Sequence, residues 1–181
     1  MTEVEFTIEP LDLADLSQFK HDMQEAFQKG SEAYFGEAQG DVLPESDIDD
    51  SLNNPTAQAF QAFLDGKPVG GAIVCFQHGG KIGHLDFLFV KVGTQSRGIG
   101  QRTWRAIEAR YPDVELWETC TPYFDRRNVH FYINALGFAA VEYFNPRHPD
   151  PHDPRGNDTN DSDMFRFEKP MPKAETERKN R

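Results

Sequence analysis

Residues 85–107 read LDFLFVKVGTQSRGIGQRTWRAI: an apolar strand-like run, a short glycine-containing loop, and an amphipathic helix starting at the second glycine or just before it. Backbone N–H groups in the first turn of a helix have no internal acceptors, and the helix dipole leaves that end partly positive. A glycine loop entering such a turn lets a phosphate approach the bare amides, and Arg97 and Arg102 flank this one with charge. Glycines before a helix also serve as plain turn punctuation, so the loop alone leaves both readings open. Two familiar phosphate-binding patterns do not fit. A P-loop needs Gly-Lys-Ser/Thr at the helix start, and Gly100 is followed by Gln101 and Arg102. A dinucleotide fingerprint needs a third glycine, which is missing, although Glu118 falls near the distance of that motif's acid.

The rest of the chain supplies alternating strand and helix patterns around this stretch. Residues 4–8 alternate apolar and acidic, as a half-buried strand does. Leu11, Leu13, Leu16, Phe19, Met23, Ala26 and Phe27 then recur at helical spacing until Gly30. Residues 31–55 are acidic and irregular, with a short helix over 45–52. Asp65-Gly66 predicts a hairpin turn between strands 58–64 and 68–76. Strand 82–92, a helix to about Arg110, strand 114–121, helix 125–136 stopped by Gly137, and strands 138–144 and 163–168 complete the order. This is an α+β arrangement, a mostly antiparallel mixed sheet flanked by helices, with one parallel pair made by the 82–121 crossover. At 181 residues the chain is one domain in size. The expected domain covers 1–169, with an exposed polar loop at 145–162 and a disordered tail at 170–181.

Residues 90–100, followed by Ala106 and by 128–138 (NVHFYINALGF), resemble the acetyl-CoA-binding core of the GCN5-related N-acetyltransferase (GNAT) family. The likeness covers residues 82–144 and is only compatible with residues 1–80. It implies acetyl-CoA as co-substrate, no metal, and a primary amine as acceptor. It also implies that strands 82–92 and 114–121 splay apart, with the pantetheine arm between them. Backbone groups of Leu88, Phe89 and Val90 would then meet the pantetheine amides. The loop residues Gln95, Ser96, Arg97, Gly98, Ile99, Gly100, Gln101 and Arg102 would hold the pyrophosphate, and Asn128 would contact the cofactor. The family's usual tyrosine, which protonates the departing thiolate, lies four residues before the glycine of Gly-Phe. Here that position is Ile133, and Tyr132 sits five before Gly137. On a regular helix that is a rotation of about 100°.

Strand alternation puts Ile82, His84, Asp86, Leu88 and Val90 on one face, and Gly83, Leu85, Phe87 and Phe89 on the other. An amine must lose a proton to attack a thioester, and a histidine or carboxylate is the usual acceptor. The resemblance places His84 and Asp86 where such groups occur. His84, with an ordinary pKa near about 6.5, suits the task, while Asp86 would need burial or would act by orienting a partner. Both residues equally suit a satisfied polar cavity, and Glu118 is a third candidate. Cys75 and Cys120 lie in apolar strand-like segments and read as buried free thiols.

Residues 1–60 carry fourteen acids against Lys20 and Lys29, a net −12, whereas residues 61–181 carry sixteen acids against seventeen bases. Such a chain is a poor nucleic-acid partner, because phosphate backbones are bound by clustered Lys and Arg. No apolar run of 18 residues and no secretory leader is present, so no membrane partner and a cytoplasmic location are expected. Prolines in residues 148–154 (HPDPHDP) preclude the helix that would align His148 and His152 on a metal. A homodimer is one arrangement the sequence allows. The expected activity is direct acetyl transfer to a primary amine, which the acidic N-terminal third would steer if cationic. A non-catalytic acyl-CoA-binding or protein-interaction module is the alternative.

Overall fold

The structure is a computed structural model that describes residues 4–37, 40–94, 98–152 and 163–172. In chain order it forms β1 (Phe6–Pro10), α1 (Leu16–Phe35), α2 (Glu45–Leu52), β2 (Gln58–Leu64), β3 (Lys67–Gln77), β4 (Ile82–Val90), α3 (Ile99–Arg110), β5 (Leu116–Pro122), α4 (Arg126–His130), β6 (Ala139–Phe144) and β7 (Met164–Pro170). The seven strands make one sheet in the order β1-β2-β3-β4-β5-β7-β6. Among the described residues only β4 and β5 are parallel; the other pairs are antiparallel. This α+β fold is the one the pattern predicts.

Local chemistry explains several junctions. Asp65 and Gly66 both take positive φ, which the two-residue hairpin between β2 and β3 requires. Asp65 also ties down β1, since Glu5 N–H donates to its Oδ1 at 2.9 Å. The two faces of the sheet are covered by different helices. On one face Trp104 and Ile107 of α3 pack with Leu85, Trp117, Tyr132, Phe138 and Phe167. On the other, Phe19 and Met23 of α1 and Ile48 of α2 pack on Ile73 and Phe89.

Strand β4 breaks strict alternation. In the β3–β4 register Val74 faces Leu85 and Ile73 faces Phe87, so Asp86 has no opposite number. This is a β-bulge, one extra residue that flips the pattern beyond it. Leu85 and Leu88 therefore pack on the α3 face, while Phe87 and Phe89 pack under α1. The expectation that Leu85, Phe87 and Phe89 share a face, and that Asp86 and Leu88 do, is corrected by the bulge.

Other corrections are smaller. Strand β1 begins two residues later than expected. The predicted tail does not begin at Pro170, which ends β7; Met171 N–H donates to the Glu115 carbonyl and its side chain packs on the core. Cys120 is half-exposed rather than buried. The helix after β5 is α-helical only to His130, and Phe131–Ala135 form a π-helical turn. Most of the 145–162 loop, and the tail from 173, lie outside the described residues.

Candidate active site

Strands β4 and β5 pair over three positions only, Ile82 with Leu116, Gly83 with Trp117 and His84 with Glu118. At the next level a side chain replaces the ladder, with Thr119 Oγ1 donating to the Leu85 carbonyl at 2.8 Å. Beyond it the strands part. Leu88, Phe89 and Val90 stay paired with Ala72, Gly71 and Gly70 of β3, and their other edge has no strand beside it among the described residues. The parting is terminated by chemistry on both strands: the bulge at Asp86 redirects β4, and Pro122 ends β5.

Helix α3 begins in front of this gap. Its N-cap is Gly98 at φ 63°, a left-handed conformation that side chains resist, and among the described residues no side chain caps the helix. The first helical bond from this end runs from Arg102 N–H to the Gly98 carbonyl. The amides of the first turn are thus left without a helical acceptor. A Cβ on Gly100 would stand 3.0 Å from the Phe131 ring and 3.5 Å from Leu88, so the helix start lies tight against both gap walls. Gln95, Ser96 and Arg97 lie outside the described residues. The Arg102 guanidinium stacks on the Phe6 ring at 4.5 Å, and the Gln101 amide donates to the Ala135 carbonyl, bracing α3 against the π turn. Asn128 donates to Asp125 Oδ2 at 2.7 Å, completing the N-cap of α4.

At the closed end of the gap sits a hydrogen-bonded cluster. His84 Nδ1 and Asp86 Oδ1 are 2.6 Å apart. Asp86 Oδ2 accepts from Ser51 Oγ of α2 at 2.5 Å and from the Cys75 thiol of β3 at 3.2 Å. Burial works against charge on both His84 and Asp86. For Asp86, the bonds from His84, Ser51 and Cys75 outweigh it, and its pKa lies below the ordinary carboxylate value. For His84, burial alone would lower the pKa, but Asp86 and the adjacent Cys120 sulfur overcome it and raise it to about 10. The resting site therefore holds an imidazolium–carboxylate pair at neutral pH. Burial and the Asp86 carboxylate push the Cys75 thiol up to about 12. Glu118 is gripped by Arg166 of β7 at 2.9 Å, and the same guanidinium binds Glu142 and Glu168.

Tyr132 is buried, its ring among Phe131, Phe138 and Phe167. Burial raises its hydroxyl to about 12, so it keeps its proton. The π turn matters here. Leu136 N–H bonds to Phe131 O, five residues back, so this turn holds one residue more than an α-helical turn. That extra residue takes up the one-position offset of Tyr132 from Gly137. The structure thus places His84 and Asp86 on the α2 face of the sheet and Tyr132 on the α3 face, with Thr119 closing the gap, Leu88–Val90 along one wall and the start of α3 in front. Ser51, Cys75 and Arg166 were not legible as neighbours of this site, because each comes from a different element.

Comparison with known proteins shows which family has this mixed sheet, with one parallel pair that parts in front of a helix start. The acetyltransferase (GNAT) family model matches residues 18–138. The Bacillus subtilis protein YrkN, of uncharacterised function, is 41% identical over 169 residues, covering 90% of this chain and 91% of YrkN. The chain belongs to the GNAT acetyltransferase family. Solved structures share the fold at low identity. The ribosomal-protein-S18-alanine N-acetyltransferase of Escherichia coli is 17% identical with a TM-score of 0.67, over 96% of this chain and 98% of that one. The PaiA N-acetyltransferase of Thermoplasma acidophilum, solved in complex with coenzyme A, is 18% identical with a TM-score of 0.66, over 92% and 99%.

Proposed function

We propose that this protein transfers the acetyl group of acetyl-CoA directly to a primary amine. The observation that carries this is the gap between β4 and β5, closed at Thr119 and opening toward the uncapped start of α3. The first-turn amides of α3, with the residues 95–97 before them, hold the pyrophosphate, and Arg102 adds positive charge. The backbone of Leu88, Phe89 and Val90 receives the pantetheine amides, and an N–H there polarises the thioester carbonyl. Asn128 lines the cofactor path through the cap it completes.

The amine approaches from the face that carries His84, Asp86 and Glu118. His84 accepts its proton when neutral, and Asp86 sets the ring's orientation and keeps its pKa high. Tyr132, which burial keeps protonated, protonates the departing CoA sulfur. No step calls for a metal. The acceptor is cationic, a small amine or a lysine-bearing peptide, drawn by the −12 of residues 1–60.

Two measurements test this. Acetyl-CoA at about 100 times its Kd should add roughly 2.7 kcal/mol to stability, seen as a raised melting temperature. With a panel of amines, free CoA thiol should then appear in proportion to acetylated amine. A melting curve that acetyl-CoA leaves unmoved would end the cofactor assignment. Binding without thiol release on any amine would instead leave a binding module.

A further inference from the structure

The two cysteines beside the His84–Asp86 pair are not equivalent. Cys75 is buried on β3 and donates its thiol hydrogen to Asp86 Oδ2, and the carboxylate together with burial holds that thiol protonated. Cys120 is half-exposed on β5, and its sulfur helps to raise the pKa of the His84 imidazole. Its place follows from the sheet. Trp117, Thr119 and Thr121 point their buried side chains to the α3 face, so Glu118 and Cys120 take the opposite one. His84 pairs with Glu118 in the last rung of the parallel pair, and Cys120, two residues further along β5, lies on the same face. The result is a sulfur, an imidazole and an orienting carboxylate in sequence, the arrangement that activates a nucleophile. It stands where β4 and β5 begin to part.

We infer that Cys120 is a self-acylation site, taking the acetyl group of acetyl-CoA when no amine occupies the acceptor face. This rests on the acetyl-CoA reading above. The Cys120 sulfur attacks the thioester carbonyl, a carbon–sulfur bond forms at Cys120, and the bond to the CoA sulfur breaks. His84, when neutral, takes the proton of the Cys120 thiol as the sulfur attacks, and the imidazolium so formed gives that proton to the departing CoA sulfur. One thioester replaces another, so no oxidant, reductant or further reactant is needed, and added CoA reverses the step. Asp86 keeps the ring turned toward this exchange through the 2.6 Å contact to Nδ1.

The test uses the full chain with acetyl-CoA alone, read by intact mass and by mapping the labelled peptide, alongside melting curves with the same ligand. The expected product carries one acetyl group on Cys120, labile to hydroxylamine and absent from the Cys120→Ala variant. Native labelling should favour Cys120 over Cys75 by more than about tenfold, and this preference should vanish when the chain is unfolded in guanidinium. His84→Gln should slow the labelling while leaving the acetyl-CoA melting shift in place. If acetyl-CoA raises the melting temperature yet Cys120 stays unlabelled, or if Cys75 is labelled equally in the native protein, the inference fails and the transferase reading stands. If acetyl-CoA neither stabilises nor labels, both fall.

Discussion

Along its β3 edge, strand β4 is paired from Ile82 to Val90, interrupted only by the bulge at Asp86. Along its β5 edge the pairing stops after three residues, and beyond Thr119 no strand lies beside it among the described residues. One strand thus has a structural side and a working side. On the first, ladder bonds and buried Ile73 and Phe89 fix its position to a fraction of a side chain's width. On the second, backbone groups left unpaired become available to a ligand. The bulge serves both, since it keeps the β3 pairing while turning Asp86 beside His84. The comparison teaches that the open edge can be tolerated because the closed edge is so completely held.

The largest effect that separates the two sides should come from the proton acceptor. With His84→Gln, kcat/KM for an amine should fall by about 10²- to 10³-fold, with acetyl-CoA affinity nearly unchanged. Its pH dependence sharpens the assignment. His84, raised to about 10, is protonated at neutral pH, so wild-type kcat/KM should climb toward that pH. Asp86→Asn removes the main group that raises it and leaves burial, which lowers it, so the limb should move to lower pH with the same acceptor. An unmoved limb would assign the titration to the amine instead. The same pair fixes a stability trend. A raised histidine pKa contributes stability that is fully present below 6.5 and lost as pH rises through about 10. The melting temperature should decline across that window, and less so in Asp86→Asn.

Next in size is a change on the closed side. Ile73 is fully buried under α1, and Ile73→Ala should cost about 3 kcal/mol of stability, measured by urea unfolding. Acetyl-CoA affinity of the folded fraction should be unaffected. A loss of affinity as large as the loss of stability would mean that the two edges are coupled and the contrast is false.

Much of this was legible in the sequence because it is local. The glycine loop, the helix beginning at Ile99, the hairpin at Asp65-Gly66 and the strand–helix–strand crossover are each written in consecutive residues. The bulge was not, because Asp86 becomes the extra residue only through its register with Ile73 and Val74, thirteen and twelve positions away. The partners of Asp86 were hidden for the same reason: Ser51, Cys75 and His84 come from a helix and two strands. The π turn at Phe131 could have been inferred from the displaced Tyr132, since a tyrosine one place out of phase needs one extra residue in the helix to return to its neighbours.

A smaller change should act on the open side alone. Gly98 holds φ 63° at the start of α3, where a Cβ is strained by about 1 kcal/mol. Among the described residues, chain neighbours aside, no atom lies within 4 Å of the place that Cβ would take. Gly98→Ala should therefore fold normally, lose about that amount in stability, and weaken acetyl-CoA by about fivefold as the first-turn amides are displaced. Isothermal titration measures the second quantity. Stability lost without any change in affinity would remove the start of α3 from the cofactor site.

The smallest expected effect concerns the acceptor. Acids crowd the segment around α2, where Glu45 and Asp49 share Lys20 while Asp47 and Asp50 form no ion pair among the described residues. A field of that sign would steer a cationic amine toward the open face and be screened over about 8 Å at physiological ionic strength. Raising salt from low to physiological strength should lower kcat/KM for a polyamine by about threefold or more, with kcat unchanged and acetyl-CoA's own constant much less affected. A neutral-bodied amine of equal size should show a shallower slope. Should both amines respond alike, the acids around α2 serve solubility, and selection of the acceptor must lie with the shape of the open face.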